Sequence, residues 1–302
     1  MIANADRARL FKRARAMLAR GENIINGLTQ EENAPRTIAI EIAYALQSGS
    51  YTEYAKTETA GLSRREGHAI LEPLLAEHGC KTMLDCGAGE GTRWLDFSAP
   101  LEHLALLEGS WARLTFASAI MAQVPAIASY QRIKGNMIDL PFRPGSFDAV
   151  FTSHAIEPNT DANARLIIDN LFAMARKLVV LFEPNFRDAH PAMKARMEQH
   201  GYACNIWDVA EAQAGFTRVA SGNFEVSPNP DNRTSYLVMR RDTPMPDGPV
   251  QMRAPGSDTA LFETPDGYQC VDGSFAYPVL GGIACLSEED GVFLGTAPQE
   301  LQ

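Results

Sequence analysis

No two of the chain's five cysteines (Cys80, Cys86, Cys204, Cys270, Cys285) stand at C-x-x-C spacing. An odd number at irregular spacing encodes neither a disulfide framework nor a complete zinc site, and a reducing compartment is expected. No histidine pair has ligand spacing with a third ligand close by, so no metal is expected. Long apolar runs are missing too. None approaches the roughly 20 residues that cross a bilayer, and the first residues lack the apolar stretch of a signal peptide. The expected location is cytoplasmic, away from membranes. Positive charge is in deficit: a net charge of −10 argues against holding nucleic acid by neutralising its phosphates, which needs a basic surface. A small-molecule partner fits better.

What is present is apolar material in quantity. With 302 residues, 45% of them hydrophobic and 21% charged, the chain can build one large α/β domain and a small appendage. Residues 6–47 read as two helices joined around Thr29–Pro35, and Ser63–His78 as a third that Gly79 stops. The first helix interleaves Arg7, Arg9, Lys12, Arg13 and Arg15 with Leu10, Phe11, Met17 and Leu18. It is either an amphipathic helix packed on the domain with a solvated basic face, or a docking surface for RNA or membrane.

From Thr82 onward short apolar runs alternate with helical patterns, which predicts a parallel sheet with helices on its faces. The runs are Thr82–Cys86, His103–Glu108, Phe147–Thr152, Leu178–Glu183, Phe216–Val219 and Ser235–Arg240. The last two flank the Pro- and Asn-rich stretch 227–232 and suit an antiparallel edge pair. Pro244, Pro246, Gly248 and Pro249 then make a linker. The expected domains are a helical extension or lid over 1–62, a ligand-binding domain over 63–241, and a β-rich module over 250–302.

The strongest local signal is Met83-Leu84-Asp85-Cys86-Gly87-Ala88-Gly89-Glu90-Gly91-Thr92. An apolar strand ends in an acid and turns through three alternating glycines, which lets the backbone approach a ligand closely. In the dinucleotide fingerprint G-x-G-x-x-G a third glycine stands where this chain has Thr92. A carboxylate two places before the first glycine suits the ammonium of a methionine moiety and would repel a pyrophosphate. Asp85 therefore favours S-adenosylmethionine over NAD, and a dehydrogenase is the runner-up chemistry. Glu108, 23 residues further on, ends the second strand where a carboxylate can accept from both ribose hydroxyls.

Gly135-Asn136-Met137-Ile138-Asp139-Leu140-Pro141-Phe142 leads into Gly145-Ser146-Phe147-Asp148-Ala149-Val150. Here the sequence resembles the class I S-adenosylmethionine-dependent methyltransferases, in which a strand ending in G-D-x is followed by L-P-F and F-D-x-V. The resemblance runs from about Ser63 to Arg240. It implies a doubly wound, mostly parallel seven-stranded sheet with helices on both faces. It also implies a cofactor site that includes Asp85, Gly87, Ala88, Gly89 and Gly91, with Glu108, Gly109, Asn136, Met137 and Ser153. The family's G-D-x acid accepts from the adenine amino group; Asn136 stands there, and an amide oxygen can accept the same bond. Phe142 is a partner for the adenine face or a core residue, and Asp148 braces the fourth strand.

Methyl transfer needs proximity, orientation and, for some acceptors, a base. Ligands of such sheets sit at the carboxyl ends of the strands. Two ends carry related segments, Ser153-His154-Ala155-Ile156-Glu157-Pro158-Asn159 and Phe182-Glu183-Pro184-Asn185. The catalytic candidates are His154, as base or as packing beneath the sulfonium, with Glu157 and Glu183, which either bind substrate groups or cap the following helices. Tyr51 and Tyr54 form a lid over the cofactor or pack between segments.

The tail resembles the small zinc-ribbon modules that end in a Y-P-V-x-x-G-I-P segment, here Tyr277-Pro278-Val279-Leu280-Gly281-Gly282-Ile283. Ala254, Ser257 and Gly273 replace three of the four ligands and Cys270 alone remains, so the module is expected to hold no zinc. Together these observations point to methyl transfer to a hydroxyl or amine of a small metabolite, such as a sugar, by a chain that is a candidate homodimer. The alternatives are a silent cofactor-binding scaffold or sensor, and an RNA or protein methyltransferase docked through the basic helix.

Overall fold

The computed structural model describes residues 4–227 and 229–295. Three helices open the chain, α1 (Asn4–Ala19), α2 (Ile24–Glu31) and α3 (Arg36–Leu46). Two were expected; the extra break falls at Gly21, whose φ is +69°, and Asn23 then caps α2 by accepting the Asn26 N–H at 3.0 Å. Leu10, Ala14 and Met17 line one face of α1 and pack with Leu28, Ala39 and Ile42 in a small core. The basic face of α1 meets carboxylates: Arg7 pairs with Glu41 at 2.8 Å, and Arg13 with Glu31 at 2.7 Å. This is the packing expected of an amphipathic helix, with Lys12 and Arg15 left exposed.

After α4 (Ser50–Tyr54) comes α5 (Glu58–Glu77). It starts five residues before the predicted Ser63, because Thr57 caps it by accepting the Ala60 N–H at 3.3 Å. A boundary between 62 and 63 therefore cuts through a helix. Gly79, at φ +55°, turns the chain into the sheet.

The alternating region then runs β1 (Thr82–Cys86), β2 (His103–Glu108), α6 (Trp111–Met121), β3 (Tyr130–Lys134), β4 (Phe147–Ser153), α7 (Asp161–Met174) and β5 (Ala175–Glu183). It continues through α8 (Pro191–His200), α9 (Ile206–Glu211), β6 (Phe216–Asn223) and β7 (Ser235–Arg241). β1, β2, β3, β4 and β5 are mutually parallel, in the order β3-β2-β1-β4-β5. β7 adds antiparallel to β5, and β6 to β7. Strands buried on both faces explain the near-continuous apolar runs. Leu84, Cys86 and Leu107 point to the side covered by α7 and α9; Met83, Leu104 and Leu106 point to the side covered by α5 and α6. Asp148, at the start of β4, accepts from the backbone of Lys81 at 2.8 Å and of Thr82 at 3.1 Å, bracing the entry of β1.

The C-terminal strands are β8 (Leu261–Thr264), β9 (Gly267–Cys270), β10 (Phe275–Leu280), β11 (Ile283–Cys285) and β12 (Val292–Phe293). They overturn the expected seven-stranded sheet. β11 pairs in parallel with β3, Ile283 opposite Arg132, so among the described residues the module continues the sheet as a mixed, twelve-stranded whole. A three-residue strand lies below what alternation can reveal, and only its burial on all three residues betrays it. Gly281 and Gly282, at φ +60° and +73°, make the tight reversal from β10. Cys270 lies fully buried beside Ala254 and Tyr277 in the same core as the central strands.

The junction of module and sheet is testable at Ile283, which is fully buried. Ile283→Ala should lower stability by about 3 kcal/mol, the cost of emptying a close-packed site, in a single cooperative urea transition. An unchanged midpoint would show that the module does not dock through β11.

Candidate functional site

Parallel strands end at one edge, so β1, β2 and β4 deliver Cys86, Glu108 and Ser153 to the same rim. Beyond β1 the loop turns at Gly87, Gly89 and Gly91, with φ of +84°, +58° and +73°. The Gly87 and Ala88 N–H groups both donate to the Leu107 carbonyl, at 2.8 and 3.0 Å. A Cβ on Gly87 would stand 2.3 Å from that of Ala155, and one on Gly89 2.4 Å from the Arg113 guanidinium. Neither glycine tolerates a side chain.

Glu108 holds this loop. Its Oε2 accepts the Gly89 N–H at 3.0 Å, and its Oε1 the Ser110 N–H at 2.9 Å. Arg113 Nη1 lies 3.3 Å from Oε2. The Arg113 guanidinium is itself flanked by the rings of Tyr44 and Tyr51, 5.0 and 4.6 Å from their centroids. Glu90 draws the N-terminal segment in: its carboxylate accepts from the backbone of Gly49 at 2.8 Å and of Thr52 at 2.6 Å. Asp85, 2% exposed, accepts the Trp94 indole N–H at 2.7 Å. Burial pushes its carboxyl up to about 7.

Two adjoining cavities open over this rim. The first, about 390 Å³, is lined by Glu108, Gly109, Asn136 and Met137 below, and by Ile38 and Glu289 above. The second, about 280 Å³, is lined by Asp85, Ala88 and Arg93 at one end and by Glu157, Asn232 and Thr234 at the other. Tyr44, Tyr51, Gly87, Arg113, Ser153 and His154 belong to both. Tyr54 lines the second cavity only. Asn136 Oδ1 accepts the Ile138 N–H at 3.0 Å, which shapes the turn after β3. Phe142 is fully buried against Phe147, 4.9 Å between centroids, and lines neither cavity; it is a core residue.

At the end of β4 His154 adopts a left-handed backbone, φ +51°, a conformation uncommon without a structural reason in a residue other than glycine. Its Nε2 lies 2.7 Å from the Thr234 hydroxyl, and its Nδ1 3.4 Å from Glu157 Oε2. Burial alone would lower the imidazole, but Glu157, with Glu183 behind it, outweighs burial and raises it.

Glu183 itself departs from expectation. It is fully buried and lines neither cavity. Its Oε1 accepts from the Thr152 hydroxyl at 2.9 Å and from the backbone of Ala155 and Ile156 at 2.9 and 3.1 Å. It shapes the turn that carries His154 instead of meeting a substrate, because its chain neighbour Pro184 leaves the strand while the β4 turn closes over it. Burial pushes its carboxyl up to about 7.

Arg93, Arg113, Glu90, Asn232 and Thr234 escaped the sequence reading. Arg93 donates to the Ser153 hydroxyl at 3.2 Å and to the Ser63 carbonyl at 3.4 Å, and burial pulls its guanidinium down to about 10. The available signal was position: Glu90 and Arg93 sit within or just after the glycine turn, where any side chain meets the site.

Residues 84–168, from β1 into α7, match a family model described as a methyltransferase domain. The matched family is one of methyltransferases, and its cofactor is S-adenosylmethionine. No curated protein matches the chain. Among solved structures, the chain is similar to the magnesium protoporphyrin IX methyltransferase of Synechocystis PCC 6803, with 13% identity, 59% of this chain and 83% of that one covered, and a TM-score of 0.45. It is likewise similar to the N-methyltransferase NodS of Bradyrhizobium japonicum WM9, at 15% identity, 59% and 86% coverage, and a TM-score of 0.47. Identity this low transfers neither acceptor nor reaction detail.

Folding that raises a carboxyl makes the folded state the tighter proton binder, so the group favours folding at low pH and loses that contribution as pH rises through about 7. For Glu183 the loss between pH 6 and pH 8 is about 1 kcal/mol. Glu183→Gln keeps an accepting oxygen without the charge. Its stability, measured by urea denaturation at both pH values, should fall less than the wild type's by about that amount; an equal fall would remove Glu183 from the titration.

Proposed function

We propose that the chain transfers the methyl group of S-adenosylmethionine to a small polar acceptor bound beside His154 and Glu157. The observation that carries this reading is the junction of the two cavities at Gly87, Ser153 and His154. One cavity has the groups that suit a nucleoside, the other has those that suit an amino acid and an acceptor. Their volumes are of the order usual for small-molecule sites, and helices α3 and α4 cover them.

The residues present fit the cofactor. Gly87 lines both cavities and, having no side chain, brings the loop backbone to their junction. Glu108 faces the first cavity as the acceptor for ribose hydroxyls, and the turn at Asn136 and Met137 as the partner of the adenine edge. Asp85 and Arg93 form an opposite-charge pair of walls for the ammonium and carboxylate of the methionine part. The bound cofactor supplies an electrophilic methyl carbon on a sulfonium. The chain contributes position, the exclusion of water beneath Tyr44 and Tyr51, and a proton acceptor in His154, which Glu157 and Thr234 orient. Residues 1–62 then act as a lid, latched through Glu90 and Arg113.

Calorimetric titration tests both the cofactor and the role of Asp85. A carboxyl near 7 must ionise to hold an ammonium, so affinity for S-adenosylmethionine should rise about tenfold from pH 6 to pH 8. In Asp85→Asn affinity should be weaker and level across that range. A wild type that binds NAD and not S-adenosylmethionine would overturn the function; binding without pH dependence would overturn the role of Asp85.

A further inference from the structure

Two acceptor atoms in the wall of the second cavity receive no well-formed hydrogen bond. Glu157 is 4% exposed. Its Oε1 takes the Asn232 amide N–H at 3.1 Å, but its Oε2 is buried without a hydrogen bond and meets only the His154 Nδ1, at 3.4 Å. Asn232 Oδ1 is buried and equally unpartnered. The amide cannot be turned to relieve this: a carboxylate only accepts, so the nitrogen must face Glu157 and the oxygen must face away. Both residues line the same cavity, beside His154. Buried polar atoms ordinarily find partners, and those that do not carry a cost that a ligand can remove.

We propose that this wall anchors a protonated amine, and that the acceptor of the methyl group is a primary or secondary amine, an inference that rests on the methyltransferase reading above. The chemistry of the two orphans selects the class. An ammonium carries up to three donors and a positive charge, whereas a hydroxyl donates once and carries none. A buried carboxylate oxygen favours the charged partner. The other cations of the cavity each have an anionic or carbonyl partner: Arg64 donates to the Ala55 carbonyl at 2.9 Å and pairs with Asp96 at 3.1 Å, Arg93 donates to the Ser63 carbonyl and the Ser153 hydroxyl, and Arg113 pairs with Glu108 at 3.3 Å.

The same arrangement prepares the nitrogen for reaction. His154 Nδ1 shares Glu157 Oε2 at 3.4 Å, so an ammonium drawn to that oxygen displaces the imidazolium from it and favours the neutral ring. Neutral His154 then takes one proton from the bound ammonium. The freed amine nitrogen forms a bond to the methyl carbon as the carbon–sulfur bond breaks; the electron pair stays on sulfur and the positive charge passes to nitrogen. His154 returns its proton to water.

The test uses the full chain saturated with S-adenosylhomocysteine and two probes of equal size, ethanolamine and ethylene glycol, which differ by an ammonium for a hydroxyl. The imidazole nitrogen resonances of His154, assigned with His154→Ala, report occupancy. Ethanolamine should shift them saturably, with affinity on the order of millimolar for so small a ligand; ethylene glycol at equal concentration should not. Glu157→Gln should weaken the ethanolamine response at least tenfold. An equal response to both probes, no response to either, or an unweakened response in Glu157→Gln overturns the amine inference. Saturation by S-adenosylhomocysteine, measured first in wild type and variant, reports a folded site and tests the methyltransferase reading separately.

Discussion

One carboxylate, Glu108, ties together pieces of chain that would otherwise have no reason to keep a fixed distance. Through its two oxygens it holds the glycine loop at Gly89, the start of α6 at Ser110, and Arg113 on the first turn of that helix. Hydrogen bonds to an ionised acceptor are about twice as strong as neutral ones, and here they act where burial excludes competing water. Arg113 passes the constraint outward by lying against Tyr44 and Tyr51. The position of the helices above the cavities therefore depends on the same group that faces the nucleoside end.

Glu90 works from the other side of the loop. Its carboxylate takes the free N–H groups at the start of α4, a short helix with little stability of its own. A helix end needs partners for these groups, and supplying them from inside the glycine turn couples the fold of the N-terminal segment to the conformation of the loop. Loop and cover are one structural unit.

What could be read from the sequence was local. The strand Thr82–Cys86, the turn after it and Glu108 at the end of β2 declare themselves within a few dozen residues, since glycine and alternation carry their meaning in place. Asp148 was likewise legible as a brace. Contacts between distant segments were not legible. Asn232 and Thr234 reach His154 across some eighty residues of chain, and no spacing rule connects them. Glu183 looked like the twin of Glu157, yet one carboxylate faces a cavity and the other is closed in by the turn at 155–156. Tertiary packing decides that difference. The parallel docking of β11 was hidden for the same reason, since three residues gain their strand character from β3.

That docking settles where the sheet has open ends. An unpaired edge offers a row of backbone donors and acceptors to any other chain, and proteins commonly cover such edges. By placing Ile283–Cys285 against β3, the chain seals the margin next to the nucleoside cavity with its own tail. Among the described residues, the unpaired margins fall on β6 at one end and on β8 and β12 at the other. Two molecules that join by extending each other's sheets would meet at those outer strands and not at β3.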